Sequence, residues 1–162
     1  MNPVDAADSS SQAPPSGTRV GVREAIDADS ERIIELWQAC GLTRPWNDPA
    51  TDLGQARAGE TSAVLVLQTP DGVTGTVMVG FDGHRGWVYY LAVDPGRRGL
   101  GHGRDLMVAA EAWLLGAGAR KVQLMVRAGN DVTGFYEALG YTDQRTRVFG
   151  RRLEEPAGRP PD

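Results

Sequence analysis

Apolar residues along this chain change their spacing several times, and each change marks a new element. Thr18–Glu24 reads as a short strand. Beyond Asp27 and Asp29, either of which can cap a helix, Ile33, Leu36, Trp37 and Cys40 recur at helical spacing until Gly41 ends the run. Leu42–Pro49 is irregular, and a weaker helix follows to Ala58. Ser62–Gln68 and Val73–Phe81 are β-rich and flank Thr69-Pro70-Asp71-Gly72, a turn tetrapeptide, so together they predict a hairpin. Asp82-Gly83 is the next turn, before a strand over Trp87–Val93. Gly101–Leu115 is helical, with Leu106, Ala109, Ala110, Trp113 and Leu114 on one face, and Gly116 and Gly118 stop it. Lys121–Val126 predicts a strand and Asp131–Leu139 a short helix, which Gly140 is placed to end in a left-handed conformation. Tyr141–Thr142 and Arg147–Leu153 predict a final pair of strands. The order β-α-α-β-β-β-α-β-α-β-β is an α/β layout with a mixed sheet.

The flanks lack such periodicity. Residues 1–17, rich in Ser, Ala, Asp and Pro, and residues 154–162, with Pro156, Pro160 and Pro161, read as a disordered N-terminal and a flexible C-terminal tail around a folded domain at 18–153. A net charge of −4 argues against a nucleic-acid binder, which carries a basic excess. No stretch approaches the ~18 apolar residues of a membrane span. Met1–Gly17 has neither the basic start nor the apolar run of a secretory signal, and Cys40, the only cysteine, permits no internal disulfide. The cytoplasm is the plain expectation. Two histidines and one cysteine are too sparse to suggest a metal site.

Candidate chemistry concentrates between Tyr89 and Arg104. An apolar strand runs through a Pro-Gly bend into Arg98-Gly99-Leu100-Gly101-His102-Gly103 at the opening of a helix. A helix start offers unpaired N–H groups and the positive end of the macrodipole. Glycines there let a pyrophosphate approach the backbone, and Arg98 and Arg104 can add charge-assisted hydrogen bonds. The dinucleotide fingerprint G-x-G-x-x-G fails on the same letters, since Arg104 and Leu106 stand where its third glycine belongs. The P-loop fails too, because no Gly-Lys-Ser/Thr occurs.

Arg98-x-x-Gly101-x-Gly103 does match the R/Q-x-x-G-x-G/A pattern of the GNAT (GCN5-related) N-acetyltransferases, at the strand-to-helix junction where that family carries it. Asn130-Asp131-Val132-Thr133-Gly134-Phe135-Tyr136-Glu137-Ala138-Leu139-Gly140-Tyr141 resembles the family's N-x5-Y-E-x-L-G-F/Y segment, and the resemblance covers Thr18–Leu153. Arg44-Pro45-Trp46-Asn47-Asp48-Pro49 and Asp82-Gly83-His84-Arg85-Gly86 further resemble the bacterial YpeA-like branch. The resemblance implies a GNAT-like fold, a mixed, mostly antiparallel sheet of six to seven strands flanked by about four helices. It implies acetyl-CoA as cosubstrate, its pyrophosphate on backbone N–H groups from Gly99 through Leu100, Gly101, His102 and Gly103 to Arg104. It also lays the pantetheine arm beside Leu91, Ala92 and Val93. Tyr136 would protonate the leaving thiolate, a role that suits a thiol of pKa roughly 8.5. Asn130 would hydrogen-bond the cofactor or fix its loop. Trp37, Arg44, Trp46 and Asn47 would line the acceptor cleft, with Arg44 suited to a carboxylate.

The general base is the gap in this reading. Trp87–Val93 contains no acid, and Met125 stands where some relatives carry a glutamate. Asp82, His84 or a water held by backbone carbonyls are the substitutes left open. The reading that results is an N-acetyltransferase acting by direct attack of a primary amine in a ternary complex. The alternative is an acyl-CoA-binding sensor or regulatory module of the same fold without catalysis. A small-molecule amine and a protein or peptide amino group both remain open as acceptor, and a homodimer is common among relatives.

Overall fold

A computed structural model describes residues 20–153, so the expectations for the two tails lie outside the described residues. Nine principal elements follow one another: β1 (Gly21–Glu24), α1 (Ser30–Ala39), α2 (Pro49–Ala58), β2 (Ser62–Thr69), β3 (Gly72–Phe81), β4 (Gly86–Val93), α3 (His102–Gly116), β5 (Val122–Leu124) and α4 (Thr133–Ala138). The strands form one sheet in sequence order, β1-β2-β3-β4-β5. The first three pairings are antiparallel and β4–β5 is parallel, joined through α3.

Local chemistry accounts for the boundaries. Gly41 lies beyond α1 at φ 68, the left-handed conformation that ends a helix. Asp48 caps α2, its Oδ2 accepting from the Thr51 N–H at 3.0 Å, with Pro49 at the first helical position. Asp29 precedes α1 without capping it. Its carboxylate instead accepts from the Ile26 N–H and pairs with Arg23.

Helices cover both faces of the sheet, which is why Ala63–Leu67 on β2 is buried without interruption. Val64, Val66, Val73 and Ala92 pack with Ile33, Leu36 and Trp37 of α1 and Leu53 and Ala56 of α2. α3 buries Leu106, Met107, Ala110 and Leu114, whereas Ala109 and Trp113, expected on its inner face, are only half-buried. Each aliphatic side chain taken fully out of water stabilises the fold by about 1.5–3 kcal/mol.

The sheet has five strands rather than six to seven, because the expected final pair does not form. Residues 142–153 carry no ladder partner, and Val148, Phe149 and Leu153 are exposed. The segment suits a strand poorly. Val148 and Phe149 are adjacent rather than alternating, four arginines surround them, and Arg145 sits at φ 51, outside extended backbone. The chain divides into two compact units, Met1–Met125 with all five strands and α1–α3, and Val126–Asp162 with α4.

Candidate active site at the fourth strand and third helix

β4 changes partners along its length. Gly86, Trp87 and Val88 pair with β3 on one side and with β5 on the other. From Tyr89 onward the pairing with β5 stops, so that edge of the strand is left without a ladder among the described residues. The register with β3 also slips between Thr76 and Met78, where β4 carries one residue more than its partner. Tyr90 occupies this bulge at φ 50, a backbone conformation rare for a tyrosine. Bulges and positive φ at a bulky residue are held by their surroundings, and they gather where backbone groups must be re-aimed. Of the next three residues Ala92 is buried in the core, while Leu91 and Val93 are half-buried.

The strand then leads straight to a helix start. Asp94 closes the Pro95–Arg97 turn by accepting from the Gly96 N–H at 2.9 Å, and its other oxygen accepts from Arg32. Gly99 and Gly101 both take positive φ, 78 and 85, and Gly101 is the residue that precedes α3. A Cβ built on either would meet nothing within 4 Å, so the space in front of the helix start is open to a ligand. His102 lies beside Thr74, its Nδ1 at 3.5 Å from the hydroxyl. Arg97 is paired with Asp71, whereas Arg98 and Arg104 are exposed and form no ion pair among the described residues. Arg98 Nη2 lies 3.9 Å from the Cys40 thiol, which itself donates to the Val93 carbonyl. A helix start of this kind, fifteen aligned residues long with Arg98 before it and Arg104 in its first turn, favours negative charge in front of it.

The loop between α1 and α2 forms a second feature, a groove of about 770 Å³ lined by Gln38, Thr43, Arg44, Pro45, Trp46 and Asn47 among others. Arg44 is fixed by donating to the Gly41 and Thr43 carbonyls, and Trp46 is 58% exposed. Trp37 is elsewhere: it is fully buried and stacks on Tyr90, with ring centroids 4.2 Å apart.

Comparison with known proteins is decisive for the family. The model of the Acetyltransferase (GNAT) family matches residues 30–141. The chain belongs to the GNAT acetyltransferases. "Acetyltransferase YE1169" of Yersinia enterocolitica is 41% identical over 133 residues, which cover 82% of this chain and 94% of that protein. An acetyltransferase of Yersinia pestis is 43% identical over 126 residues, 77% of this chain and 89% of its own. Among solved structures, AAC(6')-Iy in complex with the bisubstrate analogue CoA-S-monomethyl-acetylneamine has the same fold, with a TM-score of 0.71 at 16% identity over 83% of this chain and 98% of that one.

As a GNAT enzyme the chain is an acyltransferase, and no helix among the described residues is long and apolar enough to cross a membrane. Its second family segment lies in the Val126–Asp162 unit. There Tyr136 is half-buried on α4, edge-on to Phe135 at 5.0 Å and to Tyr141 at 6.0 Å, and burial pushes its phenol pKa up. Asn130 is exposed and does not cap α4, whose N-cap is Val132; Gly140 ends the helix at φ 88. Of the substitutes for a base, Asp82 is committed to its own turn, accepting from the His84 and Arg85 N–H groups and from Trp87 Nε1. These bonds hold its carboxyl down to about 2, and His84 stands exposed in the same turn. The sequence reading missed Asp52 on α2, which accepts from the Tyr90 hydroxyl at 2.6 Å. No spacing signals it, since 38 positions separate the two residues and only the packing of α2 against the sheet joins them.

Proposed function

We propose that the chain transfers the acetyl group of acetyl-CoA to a primary amine by direct attack within a ternary complex. The observation that carries this reading is the continuity between the unpaired stretch of β4 and the glycine-led start of α3. A pantetheine arm is a short chain of amides, and the edge of Leu91, Ala92 and Val93 that faces away from β3 offers it backbone groups, the Val93 carbonyl being shared with the Cys40 thiol. A pyrophosphate then falls to the N–H groups of Gly99–Arg104, with Arg98 and Arg104 supplying charge. The CoA analogue held by the fold relative supports the same ligand here.

Acetyl-CoA supplies the activated carbonyl. The protein's part is to hold it against the acceptor, exclude water and move protons. Arg44, Trp46 and Asn47 receive the acceptor, and buried Trp37 supports them from the helix layer. Asn130 steadies the loop before α4. Tyr136 protonates the departing thiolate; its raised pKa keeps the hydroxyl protonated at neutral pH, as a donor requires. Its replacement by Phe should lower kcat by about 10²-fold and leave acetyl-CoA affinity nearly unchanged. Steady-state thiol release, measured against both substrates, should give intersecting lines. Parallel lines would mean a covalent acetyl-enzyme and would overturn direct transfer.

A further inference from the structure

The contact between Asp52 and Tyr90 is unusual for a merely structural pair. Tyr90 stands at the bulge with positive φ, and its ring is held against fully buried Trp37 at an interplanar angle of 21°. Its hydroxyl donates to Asp52 Oδ2 at 2.6 Å. Asn47, from the lining of the α1–α2 groove, reaches the same oxygen at 3.5 Å. Both donors use Oδ2, and Oδ1 accepts no hydrogen bond among the described residues. Trp37 Nε1 beneath them is buried without a hydrogen-bond partner among the described residues. The donors to this carboxylate are a neutral hydroxyl and a neutral amide, and no Lys or Arg pairs with it among the described residues. A strained strand residue presenting a carboxylate beside a groove suits recognition of a cation instead.

We propose that Asp52, positioned by Tyr90, binds the ammonium group of the acceptor and takes its proton, so that the acceptor is a cationic alkylammonium compound. This rests on the acetyl transfer proposed above. The ammonium donates to Asp52 Oδ1 and gives up one proton to it, which frees the nitrogen lone pair. That pair attacks the thioester carbonyl, the C–N bond forms and the C–S bond breaks. The nitrogen gives its second proton to water as the amide forms, the sulfur leaving as thiolate takes the proton of the Tyr136 hydroxyl, and Tyr136 and Asp52 both return to their starting forms by exchange with water. Asp52 is a catalytic residue in this scheme because it touches the reacting nitrogen, and Tyr90 is a positioning residue.

The test uses cadaverine as the cationic probe and pentane-1,5-diol as its uncharged counterpart, with affinities for the CoA-saturated protein read by ligand-observed NMR. The wild type should bind the diamine at least ~10-fold more tightly than the diol, the worth of one charge-assisted hydrogen bond. Asp52→Asn should abolish the preference while acetyl-CoA affinity stays within about twofold, and Asp52→Glu should restore part of it. Tyr90→Phe keeps the carboxylate and should reduce the preference about 3-fold, which provides a reading even if Asp52→Asn folds poorly. Equal preference for the diamine in the wild type and Asp52→Asn, or none in the wild type, overturns the proposal and leaves acetyl transfer standing. Failure of the wild type to bind CoA at all is a separate result, and it removes the reading on which the proposal rests.

Discussion

Two residues away from the active site state their physics most directly. Asp82 holds its turn together through three hydrogen bonds to its ionised carboxylate, and its pKa falls to about 2 as a result. A group whose folded pKa is depressed stabilises the protein above its unfolded value, and the contribution disappears as pH falls through the folded one. The benefit of Asp82 should therefore be complete above about pH 4 and lost towards pH 2. A carboxyl-carbon NMR titration should place its midpoint near the lower value, and Asp82→Asn should unfold at lower temperature than the wild type at neutral pH but not near pH 2. Thr76 presents the opposite case. Its side chain is fully buried and its hydroxyl has no partner among the described residues. Thr76→Val removes an unsatisfied polar atom at nearly constant volume and should stabilise the fold by about 1 kcal/mol in a denaturant titration.

At the level of elements, the site depends on how closely α3 seats against the sheet. Gly75 on β3 allows that approach, since a Cβ there would lie 2.8 Å from Leu106 Cδ1 and 3.1 Å from the Ala92 carbonyl oxygen. Gly75→Ala should destabilise the protein by about 1–2 kcal/mol and weaken acetyl-CoA binding, because Ala92 belongs to the strand stretch proposed to receive the pantetheine arm. An unchanged melting temperature would show that α3 adjusts freely. The same scale explains what could be read from letters alone. The hairpin, the strand before the cradle and the long helix were legible because turn residues and apolar periods mark them locally. The final strands were not, since the β-forming residues of Arg147–Leu153 stand side by side among arginines instead of alternating, and they meet no ladder partner among the described residues. Gly99 and Gly101 were legible for a similar reason: both take positive φ, a backbone conformation that favours glycine. Asp52 was not, because its meaning comes only from lying under Tyr90.

For the whole molecule, the distribution of charge bears on both proposed substrates. The chain is acidic overall, at −4, yet the mouth of the proposed pyrophosphate site carries two exposed arginines without ion-pair partners among the described residues. Exposed charges of this kind are screened by salt, so raising ionic strength from about 0.05 to 0.5 M should weaken acetyl-CoA binding several-fold. Asp52 favours the opposite charge on the proposed acceptor. All of this depends on the anion site at the start of α3, and calorimetric titration of acetyl-CoA tests that site directly. The wild type should bind with micromolar affinity. Gly101→Glu, which puts a carboxylate at the proposed pyrophosphate site, should lose binding, and Arg98→Ala, which spares the backbone, should lose about 10-fold. Circular dichroism should show both variants folded. Undiminished binding in folded Gly101→Glu, or none in the wild type, would contradict the assignment of acetyl-CoA to this site.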